Sequence, residues 1–267
     1  MIRRVWFIAR LTLTEAFRQR FLTVIVVLGI AMIAGARAMG TFDFGSSELK
    51  FTADLVFGAI TLFGTILAVA MTAQLFFAEL ESRTALTLLA RPVRRAEFLV
   101  GKLFGVLLAL FAFVALITVI LIVILVWRGG VLGSSESTQT PRLSAVGLVG
   151  FVLALKLALT AAITLFFCSF SRSQLFGVVV AFLAVLICHL QYLAQDVWRE
   201  GEPWWVRGVA WIFAIGLPNF QVYSLGDAAA DGQVIPLATV ALVIIYTAFY
   251  SLVFQVLAWV CFEKREI

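Results

Sequence analysis

Six runs of about 20 mostly apolar residues occupy most of the sequence, and each is long enough to cross a bilayer as an α-helix. The runs are 21–39, 53–77, 98–126, 144–170, 175–193 and 235–262. Apolar residues cover every face of these runs, which is typical of helices in lipid. Segment 116–126 shows no alternation of polarity, which argues against a β-barrel. We therefore predict an all-α polytopic membrane protein with six transmembrane helices.

Composition and charge support this class. The chain is 63% hydrophobic and only 13% charged, which makes a water-soluble enzyme a poor interpretation. If the N-terminus is inside, 13 of the 20 Lys and Arg residues lie on that side and 6 on the other, with Lys156 within a span. The positive-inside rule then predicts that both termini are cytoplasmic. The net charge of +5 thus reflects topology, and we expect no nucleic-acid partner.

Residues 1–20 precede the first span and form a separate unit. Apolar residues recur there at helical spacing, with Arg3, Arg10, Thr14 and Arg18 on the opposite side. This pattern predicts an amphipathic helix at the inner leaflet, serving either as an anchor or as a moving element. Segment 36–38 has the small-x-small form of a signal-peptidase site, but the long charged stretch before the run and the spans after it favour an uncleaved first span.

Most catalytic and metal-binding motifs are missing from the sequence. Gly101-Lys102 is followed by Leu103 and lacks the earlier glycine of a phosphate-binding loop. There is a single histidine, and the three cysteines are isolated within apolar runs. We therefore predict no enzyme activity, no metal site and no cofactor bound by this chain.

The segment 79–97, between the second and third spans, carries the most informative pattern. Its first part has good helix formers with two early carboxylates, and Pro92 disfavours helix at Arg91. A second helix can restart at Pro92 or Val93 and enter the third span. The pattern predicts a short helix parallel to the membrane, either docking into a groove on a soluble partner or simply lying in solvent.

These residues resemble the permeases of the ATP-binding-cassette (ABC) type-2 transporter family, particularly the multicopper-enzyme-maturation-like branch. The resemblance is carried by Glu79, Glu81, Arg83-Thr84, Leu88-Leu89, Arg91-Pro92-Val93, Arg95 and Gly101-Lys102, with weaker matches at Pro218-Asn219-Phe220, Asp227, Asp231 and Phe262-Glu263-Lys264-Arg265. It implies one transmembrane domain over residues 21–267, in the inner membrane of a bacterium.

The resemblance also implies a role. Segment 79–97 would contain a coupling helix that inserts into a separate ABC ATPase subunit, which binds ATP and Mg. The complex would contain two permease copies, as a homodimer or related heterodimer, and the output would be export or force transmitted to a periplasmic partner. The implied ATPase-contact residues are Glu79, Glu81, Arg83, Thr84, Leu88, Arg94 and Arg95. Arg94 and Arg95 equally suit lipid headgroups.

Polar residues inside the spans provide a second set of candidates. Lys156 lies near the middle of the fourth run, where an isolated lysine costs about 3 kcal/mol. It either lines a translocation route or forms a structural pair with Asp54 or another acid. His189 is expected to be an interfacial or hydrogen-bonded residue. The small-residue pair Gly101 and Gly105 predicts a close helix contact within the subunit.

The apolar stretch 204–217 is too short to cross the bilayer and predicts a re-entrant or interfacial helix outside the cell. Trp204 and Trp205 would anchor it, and Asp227 and Asp231 follow it, as an outer gate, a partner contact or a cap. Two other functions stay open. One is a secondary transporter that uses Lys156 and a carboxylate, and the other is a non-transporting membrane scaffold. The substrate cannot be read from the sequence.

Overall fold

The computed structural model describes residues 2–39, 48–81, 95–132, 142–199, 203, 205, 208, 216–231 and 233–264. Across these ranges every regular element is helical. The helices are α1 (Ile2–Arg18), α2 (Arg20–Met39), α3 (Glu48–Glu81), α4 (Arg95–Leu132), α5 (Leu143–Phe170), α6 (Gln174–Arg199), a 3₁₀ helix (Phe220–Tyr223), α7 (Gly226–Ala230) and α8 (Leu237–Glu263).

Five helices in the described ranges are long and apolar enough to cross a membrane. They are Leu49–Leu80 of α3, Arg95–Trp127 of α4, Leu143–Phe170 of α5, Gln174–Tyr192 of α6 and Leu237–Glu263 of α8. The chain is therefore a multi-pass helical membrane protein. The remaining predicted span, 21–39, coincides with α2 but is not among these five, so the six-span count stays a prediction.

Helix α5 forms the centre of the bundle. It contacts α3, α4, α6 and α8, and most of its side chains are buried. Small residues permit this close packing, since a Cβ on Gly150 would lie 2.5 Å from the Thr118 hydroxyl of α4. A Cβ on Gly64 of α3 would likewise lie 2.5 Å from Leu157. At these two glycines, side chains of neighbouring helices pack directly against the helix backbone.

The N-terminal helix α1 is docked on α4. Its buried side chains include Ile8, Ala9 and Thr12, and they face the small-residue pair Gly101 and Gly105. A Cβ on Gly105 would lie 2.7 Å from the Ala9 carbonyl oxygen. The predicted contact within the subunit is thus confirmed, and glycine is required because the two backbones approach so closely. Contact of α1 with the membrane surface stays a prediction.

Two predicted elements fall mainly outside the described residues. The segment predicted to contain the coupling helix, 79–97, is described only at its two ends, where 79–81 belong to α3 and 95–97 to α4. The proposed re-entrant helix lies in 204–217, of which only Trp205, Gly208, Gly216 and Leu217 are described. Both elements stay predictions.

Candidate functional site

A buried lysine lies beside the two ends of segment 82–94. Lys102, on the first turns of α4, is 0% exposed, and its Nζ lies 2.5 Å from Glu79 Oε1 on the last turn of α3. Glu15 of α1 lies 3.8 Å from the same Nζ. We call Glu15, Glu79 and Lys102 the loop-base cluster. It joins α1, α3 and α4 at one end of the bundle.

Electrostatics explains why the loop-base cluster contains charges of both signs. A buried ammonium is costly unless a carboxylate and hydrogen bonds compensate it, and Glu79 supplies both. Burial raises the pKa of the Glu15 carboxyl, whereas Lys102 acts to lower this pKa and Glu79 to raise it. The sequence placed Lys102 among the charges of the cytoplasmic side and did not predict its burial. The available signal was its position five residues inside a predicted helix, next to Gly101.

Arg95 connects this end of the bundle to the last helix. Its Nη1 donates to the carbonyl oxygens of Phe262 at 2.9 Å and Glu263 at 2.8 Å, groups that a helix leaves unpaired at its C-terminus. Arg4 of α1 lies 3.9 Å from Glu97 on the same turn of α4. Four helices are therefore joined at the point from which segment 82–94 departs.

The predicted ATPase-contact residues are only partly described. Glu79 and Arg95 take part in the contacts above, so they anchor the segment rather than project from it. The side chain of Glu81, at the end of α3, lies outside the described residues. So do Arg83, Thr84, Leu88 and Arg94.

A second candidate site is a cavity of about 570 Å³ between α3, α5, α6 and the segment 223–227. This volume is within the range of small-molecule binding sites. Its polar lining residues are Asp54, Thr61, Thr65, Lys156, His189, Tyr223, Ser224 and Asp227. Asp54 and Glu79 are 25 residues apart on α3, which corresponds to about 38 Å along the helix. The cavity and the loop-base cluster therefore lie toward opposite ends of the bundle.

Lys156 is a buried cation in the lining of the cavity. Its side chain is buried, with 7% of the residue exposed, and it makes no ion pair or hydrogen bond with any residue in the described ranges. The predicted pair with Asp54 is not formed, although both residues line the cavity. Lys156 Nζ instead lies 5.6 Å from the centroid of the Phe220 ring. Such a contact contributes about 0.5–2 kcal/mol, which offsets only part of the cost of burying the ammonium.

Residues around Phe220 explain how its ring is positioned. Asn219 Oδ1 accepts from the backbone N–H of Gln221 at 2.8 Å and caps the 3₁₀ helix. The Asn219 backbone N–H donates to the Tyr246 hydroxyl at 2.6 Å. These contacts fix Phe220 against the cavity. The motif Pro218-Asn219-Phe220 therefore has a local structural role that the sequence did not reveal.

His189 also packs on Phe220, with the two rings edge to face and their centroids 4.9 Å apart. Its Nδ1 lies 2.9 Å from the Val185 carbonyl oxygen. Because a carbonyl only accepts, Nδ1 carries the proton in this contact and Nε2 is left for another partner. His189 is thus hydrogen-bonded, as predicted. No group of three His, Cys, Asp or Glu side chains suited to a metal occurs in the described part of the chain.

The predicted outer residues lie in different environments. Asp227, in the first turn of α7, lines the cavity, whereas Asp231 pairs with Lys50 of α3 at 2.5 Å. Trp205 is exposed, and Trp204 is outside the described residues. Beside the cavity, burial raises the pKa of Tyr223 to about 12, against the effect of its hydrogen bond to Thr247. The raised pKa keeps the Tyr223 phenol protonated at neutral pH. Its hydroxyl oxygen lies 2.7 Å from the Thr247 hydroxyl oxygen.

A known family matches most of the chain. A family model described as "Protein of unknown function (DUF2705)" matches residues 46–267. The chain belongs to this family. The DUF2705 match includes α3 to α8, the cavity and two members of the loop-base cluster, Glu79 and Lys102, but not α1. No curated protein matches the sequence.

Proposed function

We propose that this chain is the transmembrane permease subunit of an ABC transporter, driven by ATP hydrolysis in a separate ATPase subunit. The observation that carries the proposal is the arrangement around segment 82–94. The segment departs from a base where α1, α3, α4 and α8 are joined by Lys102, Glu79 and Arg95. A rigid base of this kind suits a segment through which a partner displaces the helices. The resemblance of segment 79–97 to ABC type-2 permeases indicates that this partner is an ABC ATPase.

The proposal includes a topology and an assembly. The end that carries the loop-base cluster faces the cytoplasm of a bacterial cell, as the charge asymmetry predicts. Two permease copies and two ATPases form the working unit. The output is export, or force transmitted to a periplasmic partner.

The test measures coupling between the two subunits. The permease is purified from its own host with a tag, and any co-purifying protein with an ATP-binding cassette is identified by mass spectrometry. The ATPase rate of the complex is then compared for wild type, Leu88→Arg and Glu81→Arg in lipid nanodiscs. We expect both substitutions to uncouple the ATPase rate from the permease. Leu143→Arg is the matched control, since Leu143 is exposed at the opposite end of the bundle.

Two results would contradict the proposal. One is the absence of any ATPase from the purified complex. The other is a Leu143→Arg variant that behaves like Leu88→Arg, since the effect would then come from the added charge and not from its position.

The cavity favours a second candidate, a secondary transporter that uses Lys156 and a carboxylate. Lys156 and Asp54 line one cavity without forming an ion pair, as expected of two groups that bind and release a solute or proton. Solute uptake driven by a proton gradient in proteoliposomes without any ATPase would support this function. A chain that neither transports nor alters an ATPase would be a scaffold.

A further inference from the structure

We propose that the cavity binds an amphipathic anion that enters from the bilayer, with its carboxylate or phosphate group at Lys156. This inference goes beyond the proposed function, because binding requires neither ATP nor a partner subunit. It rests on three features of the cavity: the charge of Lys156, the apolar lining and the opening toward the bilayer.

The charge determines the sign of the ligand group. Lys156 is more than nine-tenths buried, lines the cavity and has no anionic partner among the residues that the structure describes. Its contact with the Phe220 ring leaves the ammonium protons available to an acceptor. His189 adds no negative charge. Asp54 and Asp227 line the same cavity, but neither forms an ion pair with Lys156. An anionic group placed at the ammonium therefore supplies a counter-charge at contact distance.

The apolar lining of the cavity indicates that the rest of the ligand is apolar. Apolar side chains such as Phe57, Ile66, Leu153 and Phe182 form the walls around Lys156. The nearby hydroxyls of Thr61 and Thr65 donate to backbone carbonyl oxygens of their own helix and are not directed to a ligand. A small hydrophilic anion would therefore leave most of the cavity wall without a complementary surface.

The opening determines the route of entry. Leu62 of α3 and Leu186 of α6 line the cavity, yet they are 56% and 55% exposed. Both lie within membrane-spanning helices, so the cavity reaches the outer surface of the bundle at the level of the bilayer. Asp54 and Asp227 also line the cavity, and their carboxylates repel an anion that approaches past them. The ligand is therefore drawn from the lipid phase.

The test uses a dodecanoate with a diazirine in its chain as the probe. The full-length protein in phosphatidylcholine nanodiscs is irradiated with the probe, and labelled peptides are mapped by mass spectrometry. We expect saturable labelling of residues that line the cavity. Lys156→Gln should lower this labelling about tenfold, the loss expected when a charge-assisted contact is removed. Lys156→Arg should retain it, and Arg142→Gln, at the N-cap of the same helix and outside the cavity, should leave it unchanged.

Competitors identify the source of the ligand. Unlabelled dodecanoate and dodecyl phosphate should displace the probe, whereas dodecyltrimethylammonium, acetate and inorganic phosphate should not at the same concentration. Equal displacement by the cationic amphiphile would refute an anion site. Equal displacement by inorganic phosphate would refute a ligand drawn from the lipid phase.

A second variant keeps the test decisive if Lys156→Gln does not fold. Leu153→Trp keeps the lysine and fills the cavity, so it should abolish labelling in a folded protein. Unchanged labelling of cavity residues in this variant, or in a folded Lys156→Gln variant, would overturn the proposal.

Discussion

Replacement of Lys102 with Met removes the cation that lies between two carboxylates. Glu79 is only 5% exposed and Glu15 is partly exposed, so the substitution leaves like charges close together in a region of low dielectric. Removing one partner of a buried ion pair costs about 3–5 kcal/mol. We expect about 3 kcal/mol for Lys102→Met, because Glu15 keeps some contact with water. Glu79→Gln should cost less, since Lys102 retains Glu15 as a partner.

The double variant isolates the interaction. In Glu79→Gln with Lys102→Met the carboxylate and the ammonium are removed together, so the loss should be about 2 kcal/mol smaller than the sum of the single losses. Lys50→Met provides the matched control. Lys50 also lies 2.5 Å from an aspartate, but the pair is partly exposed at the opposite end of the bundle. Its removal should cost less than the removal of Lys102, because solvent screens the partly exposed pair.

The chain contains its own reporters for the assay. Cys168 and Cys188 are buried, so a maleimide dye should react with them only on unfolding. Cys261 is partly exposed and is replaced by Ser to lower the background. Unfolding is followed in mixed micelles as the SDS fraction rises. If the losses of Glu79→Gln and Lys102→Met add to within about 0.5 kcal/mol, the two side chains are not coupled and the loop-base cluster does not act as a unit.

Three further predictions concern the same end of the bundle. Gly105→Val should displace α1 and speed trypsin cleavage within α1, because a Cβ at this position would meet the α1 backbone. Gly147→Val is the control and should not change the cleavage rate, since a Cβ there would have nothing within 4 Å. Arg95→Ala should cost about 1.5–3 kcal/mol and speed hydrogen exchange in the last turn of α8, and unchanged exchange there would contradict the assigned cap. Because burial raises the folded-state pKa of Glu15 above its ordinary value, α1 should dock more firmly at low pH and lose this gain as pH rises through the folded-state pKa. Glu15→Gln should remove this dependence in the same trypsin assay.

Sequence reasoning predicted the spans closely because hydrophobicity alone determines which segments enter lipid. The predicted run 144–170 corresponds to Leu143–Phe170, and 98–126 corresponds to Arg95–Trp127. The second run, 53–77, becomes Leu49–Leu80, because helical hydrogen bonding continues past the apolar residues into charged ones. Helix ends are therefore set by backbone pairing and by partners such as Lys102, which a hydropathy pattern does not contain.

The candidate sites were less predictable, because the partner of a charged residue is determined by packing between distant helices. Charge counting assigns Lys102 to the cytoplasmic side but does not predict that it forms a buried ion pair with Glu79. A pair with Asp54 or another acid is one of the two interpretations of Lys156 from the sequence, yet the ammonium faces Phe220, from a segment 64 residues further along the chain. Predicting that contact requires knowing that the Asn219 cap places the ring against α5.

The two buried lysines together indicate how the two sites are related. The charge of Lys102 is neutralised by carboxylates of its own chain within the loop-base cluster. Lys156 lines a cavity in which a bound ligand can neutralise its charge. Helix α3 is continuous from Glu48 to Glu81 and contributes Asp54 to the cavity and Glu79 to the loop-base cluster. If α3 transmits motion between them, a bound ATPase should change probe affinity at Lys156, and the probe should change ATPase affinity by the same factor. Unequal factors would mean that one of the two affinities does not report binding at equilibrium, and no change in either would show that the two sites work independently.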